Sequence, residues 1–184
     1  MKKSRNLAIR MTAVQGMLIA VSIICGKYLA IRGGDVLRFS FENLPIIFAG
    51  ITFGPIAAAL VAIIADLLGC VLVGYTVNLV VTLGAAALGI VSGVLWSLVK
   101  KWNVPTILKV MITVMGAHLI GSVIIKTVGL AAFYAMPLWM LMLWRLLNYA
   151  IVGALEGILL CVLVRNKALS AAIRGFKKGE DEKL

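Results

Sequence analysis

Asp66 stands near the far end of an otherwise apolar stretch, Phe53 to Gly69, FGPIAAALVAIIADLLG. A carboxylate in such a setting is costly unless something binds it. Arg145 and Asn148 are three residues apart and share one helix face. Trp144 and Tyr149 flank that face, and Trp139 lies above it. Aromatic rings beside Arg, Asn and Asp suit a flat heteroaromatic ligand that carries anionic groups. The rings stack on it, and a carboxylate such as Asp66 accepts two parallel N–H bonds from an amino-pyrimidinone edge. Arg or Lys takes a ligand carboxylate. Two blander readings stand beside this one. Arg145 and Asp66 can form a structural ion pair, and the tryptophans can be an interfacial belt.

The elements that must hold these groups are membrane helices. The chain has 184 residues, 62% hydrophobic, with mean hydropathy +1.09, more apolar than a water-soluble core can hide. Six apolar runs follow in order: Leu7–Ile31, Leu44–Phe53, Pro55 to near Val73, Leu79–Val99, Ile107–Leu130 and Pro137–Val164. A full crossing takes about 20 residues, so the second run is too short to cross alone. It meets the third at Gly54-Pro55, a corner where Pro blocks a continuous helix. ENLP opens it, with Asn43 as a candidate cap. The basic start followed by a long apolar run, without a prompt small-residue cleavage motif, predicts a retained helix rather than a signal peptide. Ile24 before Cys25 does not suit a lipoprotein signal. The expected fold is all-α and integral to the membrane. Residues 1–166 form one domain of six transmembrane helices, the second short, and 167–184 form a charged cytoplasmic tail.

Charge sets the expected orientation. The net charge is +11, which in a soluble protein would suggest nucleic acid, but here it marks the cytoplasmic ends of helices. Of 18 basic residues, 13 fall into three clusters: before the first helix, between the fourth and fifth, and after the sixth. Six passes put all three on one side, with both termini cytoplasmic. Lys27, Arg32, Arg38, Lys126 and Arg145 then lie in the outer half. So do Asp35, Glu42, Asn43, Asp66, Tyr75, Asn78, Tyr134 and Asn148. The inner half is expected to be nearly pure hydrocarbon. Ionisable groups at bilayer depth point to function. Lys126 has a second reading, as a side chain that snorkels to the surface. The candidate binding residues are Arg38, Asn43, Asp66, Tyr75, Asn78, Lys126, Trp139, Arg145 and Asn148.

Several chemistries are missing from the sequence. It has no G-x-x-x-x-G-K-[ST] for nucleotide. One histidine, His118, cannot build a metal cluster, and it reads as a satisfied core residue or a secondary polar contact. Cys25, Cys70 and Cys161 are isolated and read as small hydrophobes. No nucleophile–base arrangement is legible, so no enzyme, cofactor or metal is expected. No internal repeat is visible, which weighs against an inverted-repeat transporter. Small residues at Ala13, Gly16 and Ala20 on the first helix allow close helix approach, as do Gly153 and Gly157 on the sixth. Packing within the chain is the plain alternative for both.

The block RFSFENLPIIFAGITFGPIAAALVAIIADLLGCVLVGY resembles the signature region of substrate-binding S components of energy-coupling factor (ECF) transporters, in particular the folate-specific family. It carries Arg-x-x-Phe before Leu-Pro, then Gly-x-x-x-Gly-Pro, then Asp-Leu-Leu-Gly. The family's Ala-x-x-x-Ala on the first helix appears as Gly16-x-x-x-Ala20. The resemblance implies capture of a vitamin, folate, from outside a bacterial plasma membrane. It implies docking through the first helices, at Ala13, Gly16 and Ala20, on a transmembrane coupling protein. Two ATPase subunits would supply the energy, and the S component would topple in the lipid to deliver its ligand. An S component for another vitamin or heterocycle is the runner-up. A membrane scaffold without ligand is the alternative from another class.

Overall fold

The computed structural model describes residues 2–33 and 37–166, and the tail from 167 lies outside the described residues. The side chains of Arg32, Arg38 and Tyr134 are also outside the description. Among the described residues are seven α-helices: α1 Lys2–Ile23, α2 Asn43–Phe53, α3 Pro55–Val73, α4 Leu79–Val99, α5 Thr106–Ala117, α6 Lys126–Tyr134 and α7 Leu138–Arg165. A π-helical stretch, His118–Ile125, joins α5 to α6 into one continuous rod, and another, Ile24–Tyr28, extends α1. The result is six helical segments. Five are long and apolar enough to cross a membrane, and the short α2 is the sixth. The protein is a multi-pass membrane protein, and the segment ends fall within a few residues of the apolar runs. A small antiparallel strand pair follows α1, where the sequence predicts helix and loop only. Its strands are β1 Ile31–Gly33 and β2 Leu37–Phe39, which pair Arg32 with Arg38.

The corner between α2 and α3 has the expected cause. Gly54 adopts φ +88° and ψ −179°, a region open to glycine alone, and Pro55 starts α3. Helix α4 presses on this corner, where a Cβ at Gly93 would stand 2.6 Å from Pro55 Cα.

Helix α2 is apolar all round, and nine of its eleven residues are buried, as expected for a helix surrounded by protein rather than lipid. Its Ile46, Ile47, Ala49 and Ile51 form the core with Val61 of α3, Leu88 of α4, Val110 and Val114 of α5, and Leu160 of α7. Helix α4 is central and touches α2, α3, α5 and α6. At 1.5 Å per residue, the eleven residues of α2 span about 16 Å and the nineteen of α3 about 28 Å. They are antiparallel and share one corner. The start of α2 therefore lies about 12 Å below the end of α3, and the difference leaves a recess over the α2 N-terminus.

Candidate functional site

That recess holds the polar cluster. Ser22 and Lys27 reach it from α1 and its extension, Glu42 from just before α2, Asp66 from α3, and Lys126 from the first residue of α6. Ile46, Ala62 and Ala85 form its apolar wall. The Lys126 ammonium lies 3.4 Å from Glu42 Oε1, and its side chain is only 5% exposed. Asp66 Oδ2 accepts a 2.7 Å hydrogen bond from the Thr82 hydroxyl on α4. Ser22 donates to the Glu42 carbonyl at 2.7 Å. Lys27 lies 3.7 Å from the Cys70 sulfur and 5.7 Å from the centre of the Tyr75 ring. Two cations and two carboxylates thus face one small space.

Each of the three longest charged side chains crosses a glycine. A Cβ on Gly69 of α3 would stand 2.7 Å from Lys27 Cε, and one on Gly84 of α4 would stand 2.6 Å from Lys126 Cγ. One on Gly26 would stand 2.6 Å from Glu42 Oε2. The helix backbones are bared where these chains must pass, which is how charged groups on three elements converge inside a narrow bundle.

The enclosed volume is about 20 Å³, room for roughly one water. A larger apolar groove of about 450 Å³ lies at the other end of the bundle, lined by Ile107, Ile158, Cys161, Val162, Arg165 and Asn166. It lacks converging polar side chains of both signs, and recognition chemistry points to the smaller cavity.

The candidates from the sequence divide. Asp66 and Lys126 come together in the cavity. Tyr75 stands beside it through Lys27. Lys126 does not snorkel: it is buried and begins α6, eight residues before that helix ends. Asn78 has a structural task. It caps α4 by accepting from the Val80 and Val81 amides at 3.0 and 3.3 Å, and donates to the Gly129 carbonyl at 3.1 Å. Asn43 is fully buried, begins α2 without capping it, and does not line the cavity. Trp139 is 69% exposed, which suits a belt rather than a ligand box. Asn148 is buried in α7, away from the cavity lining. Arg38 lies on β2, with its side chain outside the described residues.

The alternative of an Asp66–Arg145 ion pair is corrected, since Asp66 bonds Thr82. Arg145 instead donates Nε and Nη2 to the Ser122 carbonyl at 3.2 and 2.9 Å, and Nη2 approaches the Tyr149 hydroxyl at 3.3 Å. Ser122 sits in the π-helical stretch, where the register of main-chain bonds changes and a carbonyl can be bonded from outside. The picture of an apolar inner half is also corrected. Glu156 of α7 is completely buried and meets His118 at 2.6 Å. Lys27 and Glu42, on the expected outer side but outside the candidate set, line the cavity together with Ser22, and neither Ser22 nor Glu156 is among the sequence candidates. The apolar run around Glu156, IVGALEGILL, carries the same signal as that around Asp66: one acid in a greasy helix.

The two glycine-type faces also separate. Gly153 and Gly157 pack inside the chain, against Met115 and His118 for the first and Met111 for the second. Gly16 faces open space, and Ala13 and Ala20 are exposed on the same side of α1.

Comparison with known proteins agrees with this architecture. The model of a family described as ECF transporter, substrate-specific component, matches residues 10–164. No curated protein matches by sequence. The solved structure of FolT bound with folic acid has the same fold, with a TM-score of 0.65 and 22% sequence identity. The match covers 82% of this chain and 88% of that one.

Proposed function

We propose, from the premise that the chain belongs to the family of substrate-specific components of ECF transporters, that it binds folate in the recess over α2 and hands it to an energising module. The observation that carries this reading is the cavity with Lys27 and Lys126 beside Asp66 and Glu42. Folate has both kinds of complement. Its carboxylates match the ammonium groups, and its amino-pyrimidinone edge offers paired donors to a carboxylate. The likeness in fold to a folate-bound FolT supports the choice of vitamin. The closed cavity is far smaller than the roughly 300 Å³ or more that a site for such a ligand needs. Binding therefore parts the Lys126–Glu42 pair and swings both lysine stems aside.

In this reading the recess opens to the outside and both termini are cytoplasmic, in a bacterial plasma membrane. Partners are a transmembrane coupling protein, which meets α1 at Ala13, Gly16 and Ala20, and two ATPase subunits. The chain itself carries no P-loop. A cysteine placed at Trp102, in the α4–α5 connection, is expected to react with a membrane-impermeant maleimide only in inside-out vesicles. Reaction in intact cells would reverse the orientation.

Calorimetry on the purified chain tests the ligand. Saturable folate binding with one site per chain is expected. Binding of a different vitamin with no response to folate would retain the family role and change the substrate. No binding of any vitamin would leave a scaffold.

A further inference from the structure

Helices α5 and α6 form one rod, and its buried side chains keep a count. Thr113 and Val114, Ala117 and His118, and Gly121 and Ser122 (with Val123 beside them) are buried in pairs four residues apart. The next buried pair, Lys126 and Thr127, comes after five. That longer step falls in the π-helical stretch His118–Ile125. Five-residue bonding takes in the extra residue, so Lys126 comes round to face the recess. In α-helical register, Lys126 and all that follows would turn away by about 100°.

The wide turn leaves one carbonyl short. The Lys126 amide reaches back five residues to the Gly121 carbonyl, whereas an α-helix would give it to Ser122. The Ser122 carbonyl is bonded from outside the ladder instead. Arg145 of α7 donates to it through Nε and Nη2 at 3.2 and 2.9 Å. The Thr127 hydroxyl lies 3.5 Å away, too long to serve alone. A backbone carbonyl without a partner is costly inside a membrane, so the register that opens it needs the guanidinium. Other contacts fix the same stretch. A Cβ on Gly121 would stand 2.8 Å from the Gly84 carbonyl of α4. Tyr149 stacks on the His118 ring at 4.9 Å, and Glu156 Oε2 meets His118 Nε2 at 2.6 Å. Helix α7 thus holds the wide turn at its first residue and at its open carbonyl.

Lys126 leaves the end of this stretch. Its stem passes Gly84, and its ammonium lies 3.4 Å from Glu42 Oε1. Arg145 is not among the residues that line the cavity. We propose that Arg145 is a positioning residue for ligand recognition: by filling the Ser122 carbonyl it holds the π register that aims Lys126 into the recess. The link to ligand rests on the reading above, in which Lys126 meets a ligand carboxylate. Arg145 touches no ligand and acts through the main chain of the rod. Without it the stretch tightens toward α-helical bonding, the Lys126 amide satisfies Ser122, and the ammonium turns out of the recess.

A double-mutant cycle separates this role from direct contact. Lys126→Met is expected to weaken folate binding by about tenfold or more, the worth of a charged hydrogen bond, and Arg145→Met by a similar factor. The double variant should bind no more weakly than Lys126→Met, because no ammonium is left to aim. Arg145→Lys, which still brings a donor to the carbonyl, should recover most of the affinity. Losses that multiply, or a folded Arg145→Met with wild-type affinity, overturn the proposal. A membrane-permeant carbodiimide reads the same geometry without folate. It joins a carboxylate to an adjacent amine with loss of water, and mass spectrometry detects the Glu42–Lys126 link. The link is expected in the wild type and in Arg145→Lys, and about tenfold less of it in Arg145→Met. A wild type that forms no link, or equal yields in all three, also overturns the proposal. Should Arg145→Met not fold, Arg145→Gln, too short to reach as the guanidinium does, takes its place. A link that depends on Arg145 in a chain that binds no folate would uphold the positioning role and count against folate as the ligand.

Discussion

Asp66→Asn weakens folate binding by about 10- to 150-fold in a protein that still folds. The magnitude is that of a hydrogen bond to a charged group, about 1.5–3 kcal/mol, at about 1.4 kcal/mol per decade of affinity. The expectation of a folded variant comes from the partner. The Thr82 hydroxyl donates to Asp66 at 2.7 Å but also has the Asn78 carbonyl within 3.3 Å. When the carboxylate becomes an amide, the Thr82 hydroxyl still has the Asn78 carbonyl as an acceptor. The ligand has no such alternative, because Asn presents one acceptor and one donor where a paired-donor edge needs two acceptors. Thr82→Val, which only frees Asp66 to turn, should cost several-fold less. Calorimetry on the three proteins decides. Unchanged affinity in a folded Asp66→Asn would leave Asp66 with a purely structural bond to Thr82.

Gly16→Trp abolishes folate uptake by the assembled transporter while the isolated chain binds folate as before. A Cβ at Gly16 meets no other part of the chain within 4 Å, so a side chain there starts out into open space. The neighbouring exposed positions Ala13, Met17 and Ala20 extend the same strip along α1. A bulky ring there holds a docking helix away, and close packing between small residues is what such a face offers in lipid. Uptake into vesicles containing the full module, set beside binding by the purified chain, reads the two properties separately. Lost binding would place Gly16 in internal packing, and undiminished uptake would move the docking surface elsewhere. Gly157→Trp is the contrasting case, because Met111 already fills the space beside it. That variant should lose folding and binding together.

Helix positions were legible because bilayer length and the Gly54-Pro55 corner act locally along the chain. The exposure of Gly16 was less so. Gly16 and Gly153 look alike in sequence, and only the placement of α5 against α7 separates them. Asp66 announced itself as a lone acid among aliphatic residues. Its partner did not, since Thr82 is an unremarkable residue on a helix whose rotation about α3 cannot be read from a linear pattern. The acceptor of Arg145 is hidden in the sequence for a related reason. The Ser122 carbonyl is available where the main chain shifts to π-helical bonding, and no side-chain pattern marks that shift. Lys27 and Glu42 were on the correct side, but their convergence depends on Gly69 and Gly26 as bare crossing points. Glu156 carries the same signal as Asp66, one acid within an aliphatic run. The paired strands Ile31–Gly33 and Leu37–Phe39 are not legible because the first begins on the last residue of an apolar run that reads as helix.

The floor of the recess is set by a difference in length between α2 and α3, and lengths change by insertion and deletion. One residue added to α2 would lift its start by about 1.5 Å but turn every side chain ahead of the insertion by about 100°. Such a step would swing Glu42 away from Lys126 and expose core residues. Three or four residues nearly restore the facing and move the floor by about one pitch, 5.4 Å. Depth in this architecture is therefore quantised. Related chains that accept longer or shorter solutes should differ in α2 by whole turns, whereas point substitutions on the walls adjust only what the recess grips.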